Sequence, residues 1–198
     1  HQKCADWFVE KFKSFGTEVI DQKFQAKAFD GTLLNGRNII AQINPGIKRR
    51  LVFAAHWDTR PWADADPDPA NRKKPFDSAD DGPSGVAVLL ELARAIQIQA
   101  IKGLGIDLVL FDLEDYGQES NNESWGLGSQ YWSRNPHVSG YRAQYGVLLD
   151  MVGGSNPGFY VEDYSVYYAK EVVEKVWNLA ASEGYGGSFP KTSGGGVL

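Results

Sequence analysis

Six side chains suited to holding cations and moving protons fall at the ends of expected secondary-structure elements: His56, Asp58, Asp81, Glu114, Asp115 and Asp150. His56 and Asp58 follow the apolar run Leu51-Val52-Phe53-Ala54-Ala55. Glu114 and Asp115 close the run from Ile106 to Phe111, Asp150 follows the run from Gly146 to Leu149, and Asp81 stands just before a helical pattern. In open α/β sheets ligands bind at the carboxyl ends of the strands, so residues far apart in sequence can converge there. Several carboxylates cannot share a dry cleft as anions without a counter-charge. No Lys or Arg recurs at these strand ends, and a divalent cation would supply the charge. His with carboxylates is an ordinary ligand set for catalytic Zn²⁺. Two residues apart in a strand, His56 and Asp58 share a face, which lets Asp58 hydrogen-bond the second ring nitrogen of His56. If the strand continues, Glu114 and Asp115 face opposite sides, one toward a metal and the other free for proton transfer.

Each feature alone has a plain structural meaning. His56 could be a satisfied buried histidine, the acidic pair an ordinary strand end, and Asp81 a cap for the helix that follows. Their occurrence together, all at element ends, points to a metal site.

The elements that must position them alternate between helical and strand patterns, as in an α/β layered domain. Ala5, Phe8, Val9 and Phe12 recur at helical spacing, and residues 17–28 and 37–44 read as strands. The apolar runs at 51–55, 106–111 and 146–149 suit strands covered on both faces, and 158–161 suits a further strand. Helices are expected over 84–96, 128–134 and 166–181, the last with Ala169, Val172, Val173, Val176 and Ala180 inward. The Asp- and Pro-rich stretch 57–81 reads as a long functional loop whose part from Trp62 to Asp80 borders the cleft. There Trp57, Trp62 and Phe76 could wall an apolar pocket or pack in the core. We expect a single three-layer α/β/α sandwich over 1–198, with a mixed, mostly parallel sheet.

Composition limits the function classes. With 42% hydrophobic and 23% charged residues among 198, the chain can bury a core. A net charge of −5 with scattered basic residues argues against nucleic acid as partner. No apolar run reaches the ~18 residues that span a bilayer. The lone cysteine, Cys4, excludes an internal disulfide and reads as a small buried hydrophobe.

The motifs His56-Trp57-Asp58, Asp81-Gly82-Pro83-Ser84-Gly85-Val86, Glu114-Asp115 and Asp150 resemble the zinc aminopeptidase clan. Within it, the stretches Leu108 to Asp115, Gly128-Ser129 and Val147 to Pro157 resemble the glutaminyl cyclases. The insert from His56 to Pro67 looks like the cyclase-type proteins of gut and oral bacteria. The resemblance implies a zinc exopeptidase-like fold with Asp81 and Asp115 as zinc ligands, Asp115 standing where the family more often has Glu. It implies Glu114 as general acid/base, Asp150 as holder of the substrate's α-amine or of the proton-relay network, and His56 and Asp58 as neighbours of the metal or ligands of a second one. The family's third ligand, a His, and a catalytic Asp before it match nothing here. The resemblance therefore implies a chain truncated at its C-terminus, with that His beyond Leu198.

The implied activity is conversion of an N-terminal Gln to pyroglutamate with release of ammonia, one Zn²⁺ acting as Lewis acid on a peptide or protein substrate. A two-zinc aminopeptidase, in which Asp81 bridges and His56 and Asp150 hold the second ion, is the first alternative. A binding module of the same fold without metal is the second, and the intact Asp81 and acidic pair speak against it. The resemblance also implies an exported bacterial protein, periplasmic or membrane-tethered, with a monomer as the default.

Overall fold

A computed structural model of the chain describes residues 1–196. It forms two compact units, His1–Val152 and Gly153–Leu198. The first contains α1 (Gln2–Ser14), β1 (Glu18–Lys27), β2 (Leu33–Ile43), β3 (Arg50–His56), α2 (Pro83–Ile98), β4 (Gly105–Phe111), α3 (Leu127–Arg134) and β5 (Gly146–Leu148).

The five strands lie in the order β1-β2-β4-β3-β5. β2 is antiparallel to both β1 and β4, and β3 is parallel to β4 and β5, so β2 alone runs against the other four. Side chains alternate between the two faces, as pleating requires. Ile39, Ala41, Ala55, Leu108 and Leu110 meet α1 and α2 through Phe8, Phe12, Val86, Leu89 and Ala93. Ile40, Ala54, Val109 and Phe111 meet Trp132 of α3 on the other face. The unit is thus a three-layer sandwich with a mixed, mostly parallel sheet. Fully burying a side chain such as Phe12 or Leu89 contributes about 1.5–3 kcal/mol. α2 is the crossover between β3 and β4, and it sits close to the sheet at Gly85. A Cβ there would meet Leu149 O at 2.5 Å and Ala55 Cβ at 2.9 Å.

Two expectations change, and one open alternative closes. Cys4 is exposed, because it lies off the buried face of α1 that Ala5, Phe8 and Phe12 form. β5 is half-exposed, with Leu148 at 65%, because among the named strands it pairs with β3 alone. Trp57 belongs to the core: it is 5% exposed, and its indole N–H donates to Arg37 O at 3.0 Å.

In the second unit β6 (Val161–Glu162) pairs in parallel with β7 (Ser193–Gly195), and α4 spans Asp163–Ser182. The strand expected over 158–161 is thus shorter and later. α4 begins three residues before the helical pattern does, because Glu162 caps it, accepting from Tyr164 N at 2.7 Å and Ser165 N at 2.6 Å. Val173 is its buried residue, and Ala169 breaks its helical geometry with φ −147° and ψ 40°. Among the described residues no helix is long and apolar enough to cross a membrane.

One buried polar group ties the sheet's starting edge together. Asp107, in the middle of β4, is fully buried and lies opposite Val52 of β3. Its carboxylate takes a two-pronged contact from Arg50, Nε at 2.7 Å and Nη2 at 2.6 Å, the strong geometry for this pair. Tyr141 donates its hydroxyl at 2.6 Å and Gln42 its amide at 3.0 Å. Burial alone would raise this carboxyl, but His137, Arg50, Tyr141 and Gln42 outweigh it and hold Asp107 well below the usual carboxylate range. A lowered folded-state value contributes stability that is fully present above the ordinary carboxylate range, begins to be lost as pH falls through that range and is gone only below the folded-state value. Asp107→Asn should therefore destabilise the unit at neutral pH by about 3–5 kcal/mol, the cost of removing one partner from a buried pair. Denaturant melts across pH 7 to pH 3 should show the gap between parent and variant narrowing toward acid.

Candidate metal centre

The register of the parallel strands assembles the site. His56 ends β3 opposite Phe111, which ends β4, and Ala54 lies opposite Leu148 of β5. The residues just past each strand, Asp58, Glu114 with Asp115, and Asp150, therefore emerge along one edge of the sheet. Asp81 arrives from the loop that enters α2. Gly82 makes that arrival possible: its φ is +81°, and a Cβ there would meet Asp58 O at 2.8 Å and the His56 ring at 3.1 Å.

His56 is 3% exposed. Its Nε2 lies 2.9 Å from Asp81 Oδ1 and 3.3 Å from Asp150 Oδ1. One ligand atom each from His56, Asp81 and Asp115 lies within 4.8 Å of the others. All six sequence-derived residues thus fall in the first unit, and His56, Asp81, Asp115 and Asp150 gather around the imidazole and the acidic pair.

Asp58 does a different task from the one expected. Its Oδ1 stands 3.7 Å from His56 Nδ1, too far for a hydrogen bond. Instead Oδ1 accepts from Glu114 N at 3.0 Å and Oδ2 from Asp115 N at 3.1 Å. Asp58 therefore fixes the backbone of the acidic pair. The opposite-facing arrangement of Glu114 and Asp115 fails too, because the strand stops at Phe111 and Leu113 turns the chain with φ 57°. Both carboxyls then feel the His56 charge and each other.

The electrostatics are those of a site short of positive charge. Burial pushes the Glu114 carboxyl up to about 8; His56 opposes this, while Asp115 and Asp58 add to it. Burial and the nearby Asp81 charge push Asp115 up to about 6. Burial would lower His56, but the Asp150 and Asp58 carboxylates and the Glu114 charge override it, to about 11. Among the described residues two buried side-chain atoms find no hydrogen-bond partner, Asp115 Oδ2 and His56 Nδ1. An orphaned carboxylate oxygen beside a histidine and a second carboxylate fits a divalent cation in donor type: a nitrogen and hard oxygens, as zinc accepts.

Sequence reasoning missed two residues. Asp112 is fully buried at the end of β4 and accepts from Arg37 N at 2.7 Å and Leu113 N at 2.9 Å, pinning the turn into the acidic pair. Arg60 reaches that turn from the loop after β3, donating to Asp115 O at 2.7 Å and Gly117 O at 2.9 Å. The spacing Arg60…Asp64 was the available signal for Arg60; nothing in the pattern distinguishes Asp112 from its acidic neighbours. Of the aromatic residues offered as pocket walls, Trp62 lies against Tyr116 with ring centroids 5.1 Å apart, and Phe76 is 43% exposed.

Comparison with known proteins identifies the fold and the family. The chain superposes on the crystal structure of Porphyromonas gingivalis glutaminyl cyclase with a TM-score of 0.97 and 52% identity, covering 100% of this chain and 68% of that one. A Zn-dependent exopeptidase from Parabacteroides distasonis matches with a TM-score of 0.96 and 46% identity, over 100% of this chain and 69% of that one. Among curated proteins, the glutaminyl-peptide cyclotransferase of Bos taurus is 34% identical over 176 residues, 78% of this chain and 44% of its own length. The chain spans less than half the length of the curated relatives it matches. Residues 38–192, which include all six site residues, match peptidase family M28, and the chain belongs to that family.

Proposed function

We propose that this chain carries much of the active site of a zinc-dependent glutaminyl-peptide cyclotransferase, which converts an N-terminal Gln into pyroglutamate and releases ammonia. One observation carries the reading. Asp81, Asp115 and His56 converge beside the half-buried Glu114 in a chain that shares, over its whole length, the fold of glutaminyl cyclases.

Asp81 and Asp115 are the proposed zinc ligands. Bound zinc would supply Lewis acidity at the γ-carbonyl oxygen of the substrate glutamine, making its carbon more electrophilic. The substrate's own α-amine is the nucleophile, and as an ammonium it has no lone pair to attack with. Glu114 takes the amine proton and returns one to the departing ammonia, so a C–N bond forms as the amide C–N bond breaks. A partly desolvated carboxyl suits both directions of that transfer. Asp150 orients the amine, turning a flexible chain end into a near-attack conformer. His56, in contact with both Asp81 and Asp150, holds the two carboxylates in place. The natural partners are then peptides or proteins with N-terminal Gln. The family resemblance is the basis for reading an exported bacterial protein, periplasmic or membrane-tethered, and a monomer is the default state.

A second reading draws on one observation: His56 Nε2 touches Asp150 as well as Asp81. That is the set a second ion would need if Asp81 bridged two metals, as in an aminopeptidase, with Glu114 activating water.

The full-length protein, loaded with zinc, should release ammonia from a Gln-initiated dipeptide. Glu114→Gln should lower that rate by about 10²–10⁴-fold, the usual contribution of a general acid/base. Amine release from a Leu-initiated chromogenic amide, with no ammonia from the Gln peptide, would replace the cyclase by the aminopeptidase.

Gly82→Ala forces a Cβ onto Asp58 O and the His56 ring at a positive φ. It should displace Asp81 and weaken zinc binding by about tenfold or more, as changes to groups supporting metal ligands do. Chelator competition measures this directly, and an unchanged affinity would remove Asp81 from the ligand set.

A further inference from the structure

We propose that Arg60 is a positioning residue for the metal centre, fixing the Asp115 carboxylate by gripping its backbone; this rests on the zinc reading above. An aspartate has a single methylene, so its carboxylate goes where its Cα is held. Asp58 holds the N–H side of the acidic pair at Glu114 and Asp115. The carbonyl side belongs to Arg60: one nitrogen, Nη1, donates to Asp115 O at 2.7 Å and to Gly117 O at 2.9 Å. The turn from Glu114 to Gly117 is thus clamped through both its donors and its acceptors by residues two apart in the same loop.

Arg60 is itself held. Its Nε donates to both Asp64 oxygens at 3.1 Å, and Nη2 also pairs with Asp64. The guanidinium carbon lies 4.9 Å from the Trp125 ring centroid and 5.9 Å from that of Trp62, within the range of cation–π attraction. Trp125 presses on the same turn, since a Cβ at Gly117 would lie 2.1 Å from its ring. The Arg60 side chain is 16% exposed, against 47% for Asp64.

Two features make the role geometric. The guanidinium pairs first with the Asp64 carboxylate, and its contact with Asp115 is to the backbone carbonyl rather than to the carboxylate. And two carbonyls, a carboxylate and a ring face are met at once by a planar fork with five donors. A lysine ammonium, a point charge without a stacking face, cannot reproduce that set.

The test uses the full-length protein and three variants: Arg60→Gln, Arg60→Lys and Asp64→Asn. Zinc affinity is read by chelator competition, the ligand field by the visible spectrum of the Co²⁺ form, and the fold by circular dichroism. Arg60→Gln and Arg60→Lys should keep the fold, bind zinc about 10–100-fold more weakly and alter the Co²⁺ bands, the usual effect of removing a group that orients a ligand. Asp64→Asn should move both readouts the same way by less. Parental affinity and spectrum in folded Arg60→Gln would overturn the proposal, as would full retention by Arg60→Lys, which would leave charge rather than the fork as the agent. Should Arg60→Gln not fold, unchanged binding in both Arg60→Lys and Asp64→Asn would overturn it equally. A parent protein that binds neither metal would bring down the zinc reading itself, and this inference with it.

Discussion

The parallel pairing of β3 with β4 is the constraint on which the rest depends. Residue by residue, from Arg50 opposite Gly105 to His56 opposite Phe111, it brings two chain segments to the same edge at the same level. A slip of one residue would turn His56 to the opposite face of the sheet. The register is held at its far end by the Arg50–Asp107 contact and along its length by a β4 buried at every position. A buried ion pair is weak evidence for stability as such. Here it selects one register over its neighbours, because only this register puts Arg50 beside Asp107. Specificity at one end of the sheet thereby sets geometry at the other.

What that geometry produces is a cluster of like charges with one imidazole among them. Glu114 and Asp115 are both pushed up, toward their neutral forms, and His56 is pushed up as well, which for an imidazole is toward its cationic form. An imidazolium between Asp81 and Asp150 is the charge the chain can supply from its own residues. It leaves Asp115 Oδ2 without a partner. His56 draws in Asp81 and Asp150, whereas the acidic pair is kept in place by its backbone and packing. That explains why the turn of the acidic pair is held through its peptide groups by Asp58, Arg60 and Asp112. Groups that fix the main chain leave the carboxylates free to bind something else.

The sequence made the outline of this site legible, and the reason is physical. Short apolar runs with polar residues at their ends are the signature of buried parallel strands, and the carboxyl ends of such strands are where ligands bind. His56, Asp81, Glu114, Asp115 and Asp150 stand out on that basis. The pattern could not show what Asp58 does, because a residue's hydrogen-bond partners depend on where β4 stops. β4 stops at Phe111, and the turn at Leu113 moves the acidic pair off the strand alternation. Arg60 was hidden for a related reason: an arginine in a loop rich in Asp and Pro reads as a solvated charge until the loop folds back. The apolar residues of β5 suggest a covered strand, yet apolar composition does not count the strands on either side. Cys4 was misplaced because a helical pattern fixes which face is buried only once that face has been identified, and Cys4 lies next to it, not on it.

Buried carboxylates in this unit divide into two kinds, and the division separates scaffold from chemistry. Asp107 is surrounded by Arg50, Tyr141 and Gln42, and those donors overcome its burial and keep it ionised. Glu114 and Asp115 are comparably desolvated, but their neighbours are mostly other carboxylates, and burial wins. A chain selected for stability alone would treat every buried acid as it treats Asp107. Leaving two acids at one sheet edge short of donors costs stability, and such a cost persists where the site does something with it. Asp107 lies in mid-strand, where nothing can enter; of the buried acids past the strand ends, Asp58 and Asp112 are occupied by backbone N–H groups, which leaves Glu114 and Asp115 beside the loop that carries Asp81. The physical reading of the site therefore rests less on which residues are acidic than on which acids the fold has declined to neutralise.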